Sequence, residues 1–456
     1  MMMQSINPAT NELLGEFETW DDETLDYVVT QAGYMFGDWG KLTPIEDRVA
    51  LMRRVADVLR DDADMLAELI TLEMGKTYAE AKAEVEKSAW VCEFYADKGP
   101  EFLADEPVET DASKSYVAYL PLGVVLAVMP WNFPFWQVFR FAAPALIAGN
   151  IGLLKHASNV PQCALAIEEV FRKAGFPDFV FSTLMIGSDK VEQVIRHKAV
   201  KAVTLTGSES AGRKVAAIAG SELKKTVLEL GGSDAFIVLD DASMKTAVEN
   251  AVKGRFINMG QSCIASKRFI VDQMQADKFT EMFKQAVEGH FVAGDPMDAG
   301  TTLAPMARQD LLDELHDQVM RSVEMGATLV CGGYQLDREG CYYAPTILAD
   351  VNSSMPAWNE EFFGPVAIII KSTEPAHALG IANGVDFGLG GSIWTSDIAT
   401  AETMARGMES GATFVNSITF SDPRMPFGGV KNSGYGRELS VQGIREFTNI
   451  KSIWIK

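Results

Sequence analysis

Cysteine and histidine are scarce, at five each in 456 residues. Cys92, Cys163, Cys263, Cys331 and Cys341 form an odd set without CxxC spacing, which excludes a disulfide framework and suits a reducing compartment. His156, His197, His290, His316 and His377 show no HxxxH spacing and stand apart from the cysteines, so no metal site is expected. Positive charge is short as well: 40 Lys+Arg face 62 Asp+Glu, a formal net charge of −22. Nucleic acid and anionic membrane surfaces need a basic face, and neither is an expected partner. The segment MMMQSINPATNELLG lacks the basic start and apolar core of a secretory signal, so a cytoplasmic location is expected. A GxGxxG fingerprint is missing, and with it the usual argument for a dinucleotide. An unbroken apolar span is missing too. From Ser115 to Leu154 only Arg140 is charged, but Pro121, Pro130, Pro134 and Pro144 interrupt the run, and Asn132, Gln137 and Asn150 would strand polar groups in lipid.

What is present is an ordinary globular balance, 47% hydrophobic and 22% charged, which excludes a disordered chain. The length suits two or three domains, or one large α/β domain with insertions. Residues 21–99 read as long helices, with Val49, Met52, Val55, Leu59, Leu66, Leu69 and Ile70 at helical spacing and breaks expected at Gly75 and Gly99-Pro100. From about 124 to 240, strands and helices alternate, which implies a parallel sheet covered on both faces. A second α/β block, from about 232 to 425, has strands near KRFIVD, ATLVCGG, VAIIIK, GSIWTS and GATFVN, and the final FTNIKSIWIK alternates like a strand. No repeat or flexible linker separates the blocks, so interleaved domains are expected.

Several short motifs are ambiguous when taken singly. After KAVTLT come Gly207 and Ser208 and then a helical run, a turn that can offer N–H groups and a hydroxyl to a phosphate or serve as a plain helix cap. Lys155 ends the strand IGLL, where ligands bind in α/β sheets, yet it also fits a solvated loop. Cys263 follows the turn NMGQS, and a lone cysteine is commonly core filler. Glu229 precedes a double glycine, as in an ordinary turn. Asn132 lies in the stiff loop PWNFP, where capping is its usual task.

Together, PWNFP, ELGG, GQSC, EEFFGP at 360–365 and PFGGVKNSGYGRE at 426–438 resemble the NAD(P)-dependent aldehyde dehydrogenase superfamily over essentially the whole chain. The resemblance implies an α/β, aldehyde dehydrogenase-like fold. A Rossmann-type nucleotide-binding domain would span 1–102 and 122–231, an α/β catalytic domain 232–425, and a small β oligomerisation element 103–121 and 440–456. It implies Cys263 as nucleophile, Asn132 and the Cys263 N–H as oxyanion donors, and Glu229 as the base that activates water. For the cofactor it implies Trp131 through its backbone, Gly207 and Ser208 at the pyrophosphate, Lys155 at the adenosine ribose, Glu361 and Phe363 at the nicotinamide ribose, and the Leu230 carbonyl at the carboxamide. NAD-preferring members often carry a glutamate three residues after the lysine, and here that residue is Ser158. Without a carboxylate to repel a 2′-phosphate, NADP is the expected cofactor, with NAD the alternative.

Within the superfamily the chain most resembles the short bacterial succinate-semialdehyde dehydrogenases. This implies a small aldehyde substrate bearing a carboxylate, and a homodimer or dimer of dimers. Arg140 would sit two turns along a helix starting near Pro134 and bind the carboxylate with Ser421, between apolar walls from Trp136 and Phe427. Ile257 stands where some members place a second arginine, which implies a less selective pocket and leaves short-chain or glutarate-type semialdehydes as alternatives. A non-catalytic relative is the remaining reading, and the presence of both Cys263 and Glu229 argues against it. Ala265, two residues after the nucleophile, excludes the adjacent-cysteine switch of some members.

Overall fold

The strands Val124–Met129, Ile151–His156 and Val200–Thr206 are buried almost without interruption, as strands covered on both faces must be. In the computed structural model, which describes residues 2–456, they form the middle of a six-stranded sheet. Its order is Gly434–Tyr435, Lys225–Glu229, Val200–Thr206, Val124–Met129, Ile151–His156, Phe181–Thr183. Every pairing is parallel except the edge pairing of Gly434–Tyr435 with Lys225–Glu229. Parallel order gathers the carboxyl ends along one edge. There Met129 leads into the PWNFP loop, His156 into Ala157-Ser158, Thr206 into Gly207-Ser208, and Glu229 into Leu230-Gly231.

A second sheet of seven strands follows the order Thr328–Cys331, Thr346–Ala349, Val366–Ser372, Ser266–Asp272, Asp234–Val238, Gly391–Trp394, Phe414–Val415. Only Thr328–Cys331 runs antiparallel to its neighbour. A third, antiparallel sheet joins the C-terminal strand Thr448–Ile455 to Lys114–Pro121 and Glu106–Pro107. The alternation read in the final segment is therefore a strand. Met2–Ile6 pairs with Leu13–Glu18 in a hairpin that the sequence reading does not anticipate.

The N-terminal helices are Asp22–Trp39, Ile45–Asp61, Ala63–Met74 and Tyr78–Phe102. Gly75 ends the third at a φ of 96°, a left-handed cap that favours glycine. Gly99-Pro100 does not break the fourth. Pro100 falls in the last turn, where its missing N–H removes a single hydrogen bond. Gly99 instead allows close packing, since a Cβ there would lie 2.7 Å from Cγ2 of Ile147 on the helix Trp136–Ile147. Among the described residues no helix is long and apolar enough to cross a membrane.

Candidate active site

The cysteine loop is held in a costly conformation. The helix Met244–Phe256 ends, and Asn258, Met259 and Gly260 follow at φ 51°, 52° and 72°. Left-handed backbone costs about 1–2 kcal/mol per non-glycine residue, so surrounding bonds must fix it. The Asn258 N–H donates to Glu80 at 2.7 Å, and its side-chain amide donates to the carbonyls of Asn132 at 2.8 Å and Gln261 at 3.1 Å. Fully buried Arg255 donates to the carbonyls of Ser266, Phe362 and Gly364. Buried Lys267 donates to the Ser262 and Cys263 carbonyls at 2.7 and 2.6 Å and lies 3.3 Å from Glu361. The motifs GQSC, PWNFP and EEFFGP thus form one hydrogen-bonded unit.

A cleft of about 530 Å³ gathers Trp131, Asn132, Gly207, Ser208, Glu229, Leu230, Cys263, Glu361 and Phe363. Trp131 and Phe363 meet edge to face at 5.8 Å. Ser208 caps the helix Glu209–Ser221, its hydroxyl accepting from the Ala211 N–H at 3.3 Å. A Cβ at Gly231 would lie 2.2 Å from the Glu361 carboxylate and would displace it. Lys155 and Ser158 do not line this cleft. They line a separate cavity of about 900 Å³ with Asn159, Asp189 and Arg308. A third cavity, of about 220 Å³, is lined by Trp136, Arg140, Ser421, Phe427, Ile257 and Lys87, and Cys263 lines it as well as the cleft.

The three central residues differ electrostatically. Burial and the neighbouring Glu438 carboxylate push Glu229 well above the usual carboxylate range, against the pull of Arg140 and Arg437. Neither Glu229 oxygen has a hydrogen-bond partner among the described residues. Burial thus favours its protonated form over the carboxylate. Burial pushes the Cys263 thiol up to about 12, with Lys267 and Arg140 opposing. The Asn132 amide donates to the Gln261 carbonyl at 3.0 Å, and its oxygen accepts from Gln137 at 3.2 Å. A primary amide has a second N–H, which remains for an oxyanion.

Arg140 lies on the helix Trp136–Ile147, beside the cavity as its spacing suggests, but its guanidinium is engaged. It is buried in an ion pair with Glu438, lies 3.4 Å from the Thr206 hydroxyl, and sits over the Phe427 ring at 4.6 Å. A substrate carboxylate would have to share it. Glu438, Lys87, Lys267 and Arg255 all escape the sequence reading. Only Lys267 leaves a trace there, as one of two adjacent cations, with Arg268, at the start of the buried strand Ser266–Asp272.

The family model described as the aldehyde dehydrogenase family matches residues 1–453. The chain belongs to the aldehyde dehydrogenase family. A Synechocystis relative named a probable succinate-semialdehyde dehydrogenase [NADP(+)] is 50% identical over the whole of both chains. Succinate-semialdehyde dehydrogenase [NADP(+)] 1 of Mycobacterium ulcerans is 48% identical over the whole of both. The crystal structure of succinic semialdehyde dehydrogenase from Streptococcus pyogenes, solved with NADP+ as the cofactor, superposes at a TM-score of 0.97 and 42% identity over 99% of each chain. The architecture described above is therefore an aldehyde dehydrogenase fold.

Proposed function

We propose that this aldehyde dehydrogenase oxidises succinic semialdehyde to succinate with NADP in preference to NAD. The carrying observation is the small cavity at Cys263, whose apolar walls enclose the cationic Lys87 and Arg140 and the Ser421 hydroxyl. That lining suits a short aldehyde with an anionic tail. The names of the full-length relatives agree with it.

The residues fit the cofactor. The capped N-terminus of Glu209–Ser221 suits a pyrophosphate. Lys155 is largely buried and forms no ion pair among the described residues, while Ser158 leaves room beside it for a 2′-phosphate. Trp131, Leu230, Glu361 and Phe363 sit in the cleft with Cys263, as a nicotinamide end requires.

In this reading the deprotonated Cys263 sulfur adds to the aldehyde carbon, and the Asn132 amide and Cys263 N–H hold the resulting oxyanion. The chemistry that NADP supplies when bound is acceptance of the hydride from that carbon. Cys263 is then left acylated as a thioester. Glu229, once ionised, removes a proton from water as it attacks the thioester, and succinate leaves with restoration of the thiolate.

The domain division at 1–102 with 122–231, 232–425, and 103–121 with 440–456 belongs to the same proposal. The third part would join subunits into a dimer or dimer of dimers, and Ile450, Trp454 and Ile455 are exposed on its strand. Five unpaired cysteines accord with a cytoplasmic setting. Initial rates with succinic semialdehyde, glutaric semialdehyde and butanal, each with NAD and NADP, test the reading. Succinic semialdehyde with NADP should give the highest kcat/KM, and an equal value for butanal would overturn it.

A further inference from the structure

Two cations line the small cavity, and they are not equally available. Arg140 is paired with Glu438. Lys87, on the helix Tyr78–Phe102, forms no ion pair among the described residues. Its ammonium lies 2.8 Å from the Ser421 hydroxyl and 4.2 Å from the centre of the Trp136 ring.

The acidic groups around Lys87 are already engaged. Glu84 accepts from Lys76 Nζ at 2.6 Å and from the N–H groups of Phe135 and Trp136 at 2.8 and 3.1 Å. Asp422 accepts from the Arg424 guanidinium at 2.9 and 2.6 Å. Glu80 caps its own helix and accepts from the Asn258 N–H. What remains at Lys87 is an ammonium held on an aromatic face beside a hydroxyl, in the cavity that also holds the nucleophile. Ring and hydroxyl can park a cation, but they leave it without a counter-charge.

We propose that Lys87, together with the Ser421 hydroxyl, receives the carboxylate of the substrate and so determines selection of acidic over neutral aldehydes. The proposal rests on the semialdehyde reading above and adds a residue to it. An ammonium paired this way exchanges a ring contact for a charge-assisted bond on substrate binding. Its proton is also within reach of ordinary conditions: burial and then Arg140 lower Lys87 to about 8, against the weaker opposing pull of Glu84 and Asp422. The substrate carboxylate stays ionised there, so its affinity falls as pH rises through that value.

The test compares wild type, Lys87→Met and Lys87→Arg with succinic semialdehyde, glutaric semialdehyde and butanal, with thermal melting to verify folding. Lys87→Met should lower kcat/KM for both semialdehydes roughly 10–100-fold more than for butanal, mainly through KM. Lys87→Arg should restore most of that difference. The wild-type KM for the semialdehydes should rise above pH 8 while that for butanal does not. If Lys87→Met affects all three aldehydes equally, the proposal is overturned. The wild-type ratio of succinic semialdehyde to butanal tests the semialdehyde reading by itself. Should that ratio be near one, a selective loss for acidic aldehydes in Lys87→Met would still support Lys87, and its absence would still overturn it.

Discussion

Arg140 and Glu438 form an ion pair almost closed to solvent, the one on the helix after PWNFP and the other at the end of the PFGGVKNSGYGRE motif. Arg140 lines the small cavity at Cys263, and both members act on Glu229, whose carboxyl is raised by burial and then by Glu438 and lowered by Arg140. Breaking a buried pair from one side leaves a charge without compensation, at about 3–5 kcal/mol. Arg140→Met should therefore lose stability of that order in urea unfolding. The double variant Arg140→Met with Glu438→Leu should regain much of it. Strict additivity of the two single losses would show that the residues are not coupled.

The proposed cofactor choice involves a different pair of positions. Lys155 and Ser158 line one cavity with the carboxylates Asp189 and Asp310; burial lowers Lys155, and Asp189 opposes it. Ser158→Glu would set a negative charge where a 2′-phosphate would lie beside Lys155, and like charges in a partly desolvated site cost several kcal/mol. The ratio of kcat/KM with NADP to that with NAD should fall by roughly 100-fold. An unchanged ratio would remove Ser158 from cofactor recognition.

The sheet edge that carries the site was legible because it is written locally. Apolar runs such as VVLAVM name buried parallel strands, and the motifs sit at their carboxyl ends. Long-range pairing was not legible. Nothing near Arg140 in sequence announces Glu438, because 298 positions separate them and only the fold brings Gly434–Tyr435 back to the edge of the first sheet. Lys87 was hidden for another reason. It lies in AEAKAEVEKSAW, a charged helical run that reads as a solvated face, and its cavity is visible only once Trp136 and Ser421 pack beside it. The Gly99-Pro100 break failed on packing as well, since Ile147 demands a glycine inside that helix.

Glu229 offers a prediction in which stability and activity move in opposite directions. Its folded pKa is raised, mainly by burial. A carboxyl raised in the fold contributes its full stability below the ordinary carboxylate value of about 4.3, and that contribution is lost as pH rises toward the folded value. At pH 8 the wild type therefore carries a cost that a neutral amide does not. Glu229→Gln should melt at a higher temperature than wild type at pH 8, and the gap should close toward pH 5. Its steady-state turnover should fall roughly 100-fold or more, since in the proposed mechanism water attack on the thioester loses its base. A single burst of reduced cofactor, about one per active site, should survive. Lower stability of the variant at pH 8 would contradict the environment described for this carboxyl.

Cys263 gives the last prediction, and it concerns the enzyme without cofactor or substrate. Its thiol is pushed up to about 12 by burial, despite Lys267 and Arg140 nearby. Only the thiolate is alkylated. Well below the pKa, each pH unit multiplies the thiolate fraction by about ten. The second-order rate of iodoacetamide inactivation should therefore climb about tenfold per unit from pH 7 to 9, without a plateau. Lys267→Met removes the larger of the two cationic contributions and should slow inactivation further at every pH in that range. Cys263→Ala should take up no label at this site and show no dehydrogenase activity. A plateau below pH 8 in the free enzyme would mean that the thiolate is stabilised at rest, against the upward push that burial exerts on the Cys263 thiol.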